Sequence, residues 1–278
     1  MAPYRKTLFV LFFISGICGL VYEVVWTRLL TLTFGNTVFA SSTVLAVFMA
    51  GLALGSYAFG AAIDKRTNVL QIYGYLEMGI GLYALLLPLL LSGATPLYIW
   101  FYRTFGPGHS ELGLLRFLVS FLLLLFPTVC MGATLPVLSR YFVVTRSHLG
   151  RDIGLLYGLN TCGAVLGCFA AGFILIQLLG IQQTASLAAS MNIGIGIIAL
   201  GLQRRSSLKV AKEVEGPGRA RWAQVRLSGR GLVLILICFG LSGFAALAYE
   251  VLWMRSLVCG CEASSTSWPP TPSPSAPC

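Results

Sequence analysis

Apolar residues fall in seven blocks along the chain, at about 8–30, 38–62, 70–92, 114–139, 153–179, 184–203 and 231–258. Most are near the ~20 residues that an α-helix needs to cross a ~30 Å hydrocarbon core. The blocks are continuous and do not alternate with period two, which predicts membrane helices and not a barrel. The expected fold class is therefore all-α: a polytopic bundle of about seven transmembrane helices. Composition agrees, with 57% apolar residues, 10% charged and mean hydropathy +0.84. A soluble domain carries about 25% charged residues. The lipid bilayer is the first expected partner.

The loops carry the charge. Arg5, Lys6, Lys65, Arg66, Arg140, Arg146, Arg151 and the eight basic residues of 204–230 all fall on one side if the blocks alternate, against Arg28, Arg103, Arg116 and Arg255 on the other. This asymmetry predicts a multi-pass protein of the cell (inner or plasma) membrane with a cytoplasmic N-terminus. The net charge of +10 does not imply nucleic acid, because the basic residues lie in loops between the apolar blocks. Met1 to Thr7 reads as the flank of a signal-anchor helix, with no small-residue cleavage site after it.

An internal repeat sets the organisation. Residues 12–30 align without gaps to 239–257 with ten identities in nineteen, so that Ser15, Gly16, Tyr22, Glu23, Trp26 and Arg28 recur as Ser242, Gly243, Tyr249, Glu250, Trp253 and Arg255. The expected domains are a six-helix unit at 1–203, a basic cytoplasmic linker at 204–230, a seventh helix at 231–258 that opens a second unit, and a Ser/Pro-rich disordered tail at 259–278. The change of character near Val258 is read as a truncated or shifted reading frame.

Ionisable groups within membrane helices mark candidate sites. Glu23, Glu77 and Glu250 are the buried carboxylates expected to bind a proton, an ion or a cationic small molecule such as a polyamine. Gly16, Gly19 and Glu23 share one helical face, as do Gly74, Glu77 and Gly81. Small residues beside a carboxylate predict that it faces another helix. The competing reading is a structural carboxylate hydrogen-bonded between helices. Asn160 continues the small-residue stripe of Gly163 and Gly167 and is a further candidate. Pro88, Pro127 and Pro136 are expected kinks, and Tyr22, Trp26, Tyr249 and Trp253 an aromatic belt. His109 and His148 lie in loops, Cys259-x-Cys261 is weak evidence for a metal, and no Walker motif or nucleophile elbow is present. No metal, cofactor or catalytic residue is expected.

Two stretches resemble known families. Gly60 to Arg66, GAAIDKR, resembles the loop of major-facilitator transporters that couples helix movements, which gives Gly60, Asp64, Lys65 and Arg66 that role by resemblance. SGICGLVYEVVWTR, FPTVCMGATLP (126–136) and LYGLNTCGAVLGCFAAGF (156–173) resemble the membrane part of fused major-facilitator/spermidine-synthase proteins. That resemblance implies a major-facilitator-like repeat joined to a Rossmann-like aminopropyltransferase domain. The latter's GGGDG-type loop and catalytic Asp have no match in this chain, so aminopropyl transfer is not expected of it. The implied role is membrane anchoring or transport linked to polyamine metabolism, in a homo-oligomer or with a separate synthase domain. A seven-helix receptor or sensor, and a non-functional remnant, are the alternatives.

Overall fold

The computed structural model describes residues 4–34, 37–63, 66, 68–106, 108–144, 149–210, 233, 237, 238, 240–253 and 256. Among them every regular element is helical: α1 (Arg5–Phe34), α2 (Thr37–Ile63), α3 (Val69–Phe105), α4 (His109–Val144), α5 (Leu149–Ala170) and α6 (Ile176–Val210). A π-helical turn, Ala171–Leu175, leads from α5 into α6. The continuous run from Gly150 to Arg205 is broken at Gly180, where φ is 79° and ψ 170°, a backbone conformation that glycine adopts at no steric cost. Residues on either side of Gly180 form two apolar helical segments, matching the fifth and sixth apolar blocks.

The helices are longer than the blocks. α3 reaches Phe105 where apolarity fades at about 92, α4 extends the fourth block at both ends, and α6 enters the expected linker as far as Val210. Hydropathy marks the hydrocarbon slab, whereas a helix continues wherever its backbone hydrogen bonds do. α3 also passes through Pro88 and Pro96, and α4 through Pro127 and Pro136, as single helices.

Two compact units divide the chain, Met1–Glu215 and Gly216–Cys278. In the first, α1 packs mainly on α5, α2 on α4, and α3 on α6. Two apolar clusters fill its interior. One gathers Tyr22, Trp26, Phe48, Ile80, Leu87, Leu124 and Ala188. The other gathers Leu8, Phe12, Leu70, Tyr73, Val137, Phe142 and Ile195. Helices α1, α3 and α5 run from the second cluster to the first, and α2, α4 and α6 run back. Arg5, Arg66, Arg140, Arg151 and Arg204 consequently lie towards one end of the bundle, and Arg28, Arg103 and Arg116 towards the other.

The outer surface is apolar. Leu89, Leu122, Phe173 and Leu178 are all more than 60% exposed, which water would penalise and lipid does not. Five helical stretches are long and apolar enough to cross a membrane, by length and composition. The expected aromatic belt is corrected in its first half. Tyr22 and Trp26 are fully buried, stacked with centroids 5.3 Å apart, while Trp100, Tyr102 and Phe105 are the exposed aromatics at that end of the bundle. Tyr and Trp at i, i+4 on α1 face its partners, a packing that sequence position alone does not separate from a belt.

Exchanging α1 with α4, α2 with α5 and α3 with α6 leaves the dominant packing unchanged. The exchange holds at residue level. A Cβ on Gly163 would fall on the backbone of Phe13 and Ile17, and one on Gly55 on that of Val129 and Ala133. Gly16 meets the Asn160 carbonyl as Gly132 meets that of Leu52. Residues 77–85, EMGIGLYAL, also align to 192–200, NIGIGIIAL, with five identities in nine. The six-helix unit is two three-helix halves of opposite direction, an arrangement common among transporters.

In the second unit residues 240–253 are helical, and the Tyr249 and Trp253 rings lie 6.3 Å apart, as Tyr22 and Trp26 pair in α1. The tail at 259–278 and most of the 204–230 linker lie outside the described residues.

A Gly163→Leu variant should lose about 3 kcal/mol or more, since the clash is with backbone. Gly19→Leu should stay within about 0.5 kcal/mol, because nothing lies within 4 Å of its added Cβ. Thermal unfolding of both purified in detergent checks the contrast, and equal losses would contradict the packing.

Candidate functional site: a polar layer between two apolar clusters

The inward face of α1 carries Ser15, Cys18 and Tyr22 at i, i+3 and i+7, a helical stripe. Ser15 falls between the two apolar clusters. From α3, Glu77 sits at the same height, after Tyr73 of one cluster and before Ile80 of the other. From α6, Asn192 does likewise, between Ala189 and Ile195. All three helices therefore deliver one polar residue to the middle of the bundle.

These residues close on one another. Ser15 Oγ donates to Glu77 Oε1 at 2.7 Å, and Asn192 Nδ2 donates to Glu77 Oε2 at 2.6 Å. The Tyr22 hydroxyl donates to Asn192 Oδ1 at 3.3 Å, which fixes the amide with its NH₂ towards the carboxyl. Glu77 is wholly buried, and among the described residues no basic side chain forms an ion pair with it. The carboxyl is solvated by neutral donors. In the alignment of α3 with α6 above, Glu77 and Asn192 are equivalent, so the two halves meet here through equivalent positions. Two glutamates there would repel; one glutamate and one asparagine form a hydrogen bond.

Of the other sequence candidates, Asn160 borders this layer. Its backbone carbonyl and side-chain oxygen both lie against Gly16, the residue after Ser15. Glu23 is half-buried and stands eight residues beyond Ser15, about 12 Å along the helix axis. The expected Gly16-Gly19-Glu23 contact face is corrected: Gly16 packs on α5, whereas Gly19 meets nothing within 4 Å. The inward stripe is one residue out of register with the one read from glycine spacing. Glu250, expected to be buried, is exposed and lies in the second unit. Gly60 lies partly buried in the last turn of α2, and Arg66 is exposed with its backbone N–H on the Ile63 carbonyl; Asp64 and Lys65 lie outside the described residues.

Sequence reading missed Asn192 and Asp152. Asn192 stands alone in an apolar block, and its only signal is the match of 77–85 to 192–200. Asp152 is wholly buried in the first turn of α5, where it accepts from Arg5 Nη2 of α1; the Arg5 guanidinium lies 5.4 Å from the centre of the Phe9 ring. This ion pair ties the basic ends of α1 and α5, and an acidic residue also suits the start of a helix.

No family model matches the chain, and no solved structure matches it. Its sequence is 31% identical over 230 residues to "Polyamine aminopropyltransferase 2" of Streptomyces coelicolor, covering 81% of this chain and 37% of that protein. The chain spans little more than a third of that relative's length.

The polar layer predicts strong coupling between its members. Asn192→Leu alone should destabilise by about 2–4 kcal/mol, since it strips a donor from a buried carboxyl. Glu77→Leu with Asn192→Leu should cost less than the sum of the two single changes by about 2 kcal/mol. A double-mutant cycle on unfolding checks this, and additive losses would contradict the bond.

Proposed function

We propose that the chain is the membrane-embedded part of a polyamine aminopropyltransferase-like protein, made of a major-facilitator-like six-helix unit and the first helix of a second. Its role is to move cationic small molecules of the polyamine class across the bilayer, or to hold them there, beside a synthase activity that lies elsewhere. The observation that carries this reading is a polar layer at mid-height of two inverted three-helix halves, in a chain similar to a polyamine aminopropyltransferase. Transporters of inverted-repeat design place their sites near the midplane, where repeats meet.

The residues divide this work by accessibility. Glu77 is filled by protein donors. Polyamine ammonium groups are assigned to Glu23 in the first unit and, separately, to its repeat equivalent Glu250 in the second, with Asn160, packed against Gly16 of α1, as a further polar candidate. The Gly60 to Arg66 segment is the conformational loop on the cytoplasmic side. A separate synthase domain, or a second copy of the chain, completes the assembly.

Two measurements test the reading. Proteoliposomes containing the chain should take up or retain radiolabelled spermidine above protein-free vesicles, with about a ten-fold loss of affinity in Glu23→Gln and Glu250→Gln, the equivalent of 1.4 kcal/mol. Retention equal to protein-free vesicles would refute it. In intact cells an N-terminal tag should resist external protease, as the basic ends of α1, α2, α4 and α6 require of a cytoplasmic side; a cleaved tag would reverse the orientation.

A further inference from the structure

One further wholly buried group belongs to the layer. The Tyr73 hydroxyl, one turn before Glu77 on α3, is wholly buried within hydrogen-bonding reach of both Glu77 and Ser15. The titratable groups facing Glu77 are Cys18 and Tyr22 from α1 and Tyr73 from α3 itself. From α6 it meets Asn192, which does not titrate. No cation balances the carboxylate among the described residues, and Cys18, Tyr22 and Tyr73 are side chains whose ordinary form at neutral pH is uncharged.

We propose that Glu77 is a proton-binding site, reached by a turn of the Ser15 hydroxyl. With Glu77 ionised, Ser15 Oγ–H donates to Oε1 and Asn192 Nδ2–H donates to Oε2. When a proton arrives it forms an O–H bond on Oε1. Ser15 Oγ then accepts from that carboxyl and turns its own hydrogen to the Tyr73 oxygen, while the bond from Asn192 stays. Both states keep the carboxyl and Ser15 fully hydrogen-bonded, and the Tyr73 oxygen, beside Glu77 throughout, accepts from Ser15 only in the second. The same geometry disfavours a metal ion or an ammonium group. Both carboxylate oxygens are already occupied at 2.6 and 2.7 Å, and an ion needs those oxygens turned towards it. Tyr22, held by Asn192 and stacked on Trp26, connects the site to a fluorophore.

The test is infrared difference spectroscopy on the full chain in lipid nanodiscs, between acidic and alkaline buffers. The expected result is a protonated-carboxyl C=O band equivalent to one proton per chain, absent in Glu77→Gln, which keeps the side chain's shape and its bond from Asn192. Trp26 fluorescence should follow the same titration and lose it in that variant. Ser15→Ala should keep the band but change its frequency and move its midpoint by at least one pH unit, a ten-fold change in proton affinity. A wild-type chain with no titrating band, a band that persists in Glu77→Gln, or an unchanged band in Ser15→Ala overturns the proposal. If Glu77→Gln fails to fold, Ser15→Ala decides alone. The proposal rests on the bundle and not on the polyamine reading: vesicles that retain no spermidine leave it standing, and a titrating carboxyl identifies no substrate.

Discussion

A carboxyl group at mid-height in a bundle wrapped by hydrocarbon has no water to turn to, so the protein must solvate it. Here three helices meet that demand together. α1 supplies a hydroxyl, α6 an amide, and α3 the carboxyl, while Tyr22 keeps the amide from rotating. Leaving a polar group unpaired in such surroundings costs several kcal/mol. The layer therefore fixes rotation and height for α1, α3 and α6 at once. Apolar contacts alone would tolerate a helix turned by one residue far more readily.

Close backbone approach makes this geometry possible. Between helices in lipid the hydrophobic effect contributes little, and packing depends on how nearly two backbones can meet. Gly55 and Gly163 let α2 reach α4 and α5 reach α1 until carbonyls and glycine Cα atoms touch. At the basic end the Arg5–Asp152 pair adds a second polar tie between α1 and α5. Burial of such a pair is a weak source of net stability, but it penalises any other register of the two helices.

Much of this was legible in the amino-acid sequence, for a physical reason: hydrocarbon imposes a block length that hydropathy reads directly. Six blocks correspond to apolar helical segments in the first unit, and Glu77 stood out because a carboxylate in lipid is costly. The glycine turn at Gly180 fell between two blocks and only the structure identifies it as the break. What stayed hidden is relational. The spacing of Gly16, Gly19 and Glu23 names a face but not its neighbour, and the neighbour proved to lie along Ser15, Cys18 and Tyr22. Asn192 carries no charge, so an apolar block conceals it. Tyr22 and Trp26 were placed by their nearness to a block end, although stacking inside the core satisfies them equally well.

The sequence distances across the polar layer bear on how the protein is made. Ser15 waits 62 residues for Glu77, and Tyr22 waits 170 for Asn192. A chain threaded helix by helix into the membrane can pair Ser15 with Glu77 once α3 arrives, but leaves Glu77 Oε2 and the Tyr22 hydroxyl without Asn192 until α6 leaves the ribosome. The last helix of the unit is thus the keystone of its biogenesis. Chains stalled before it would present a carboxyl with one oxygen unpaired, a mark that distinguishes an unfinished bundle from a finished one.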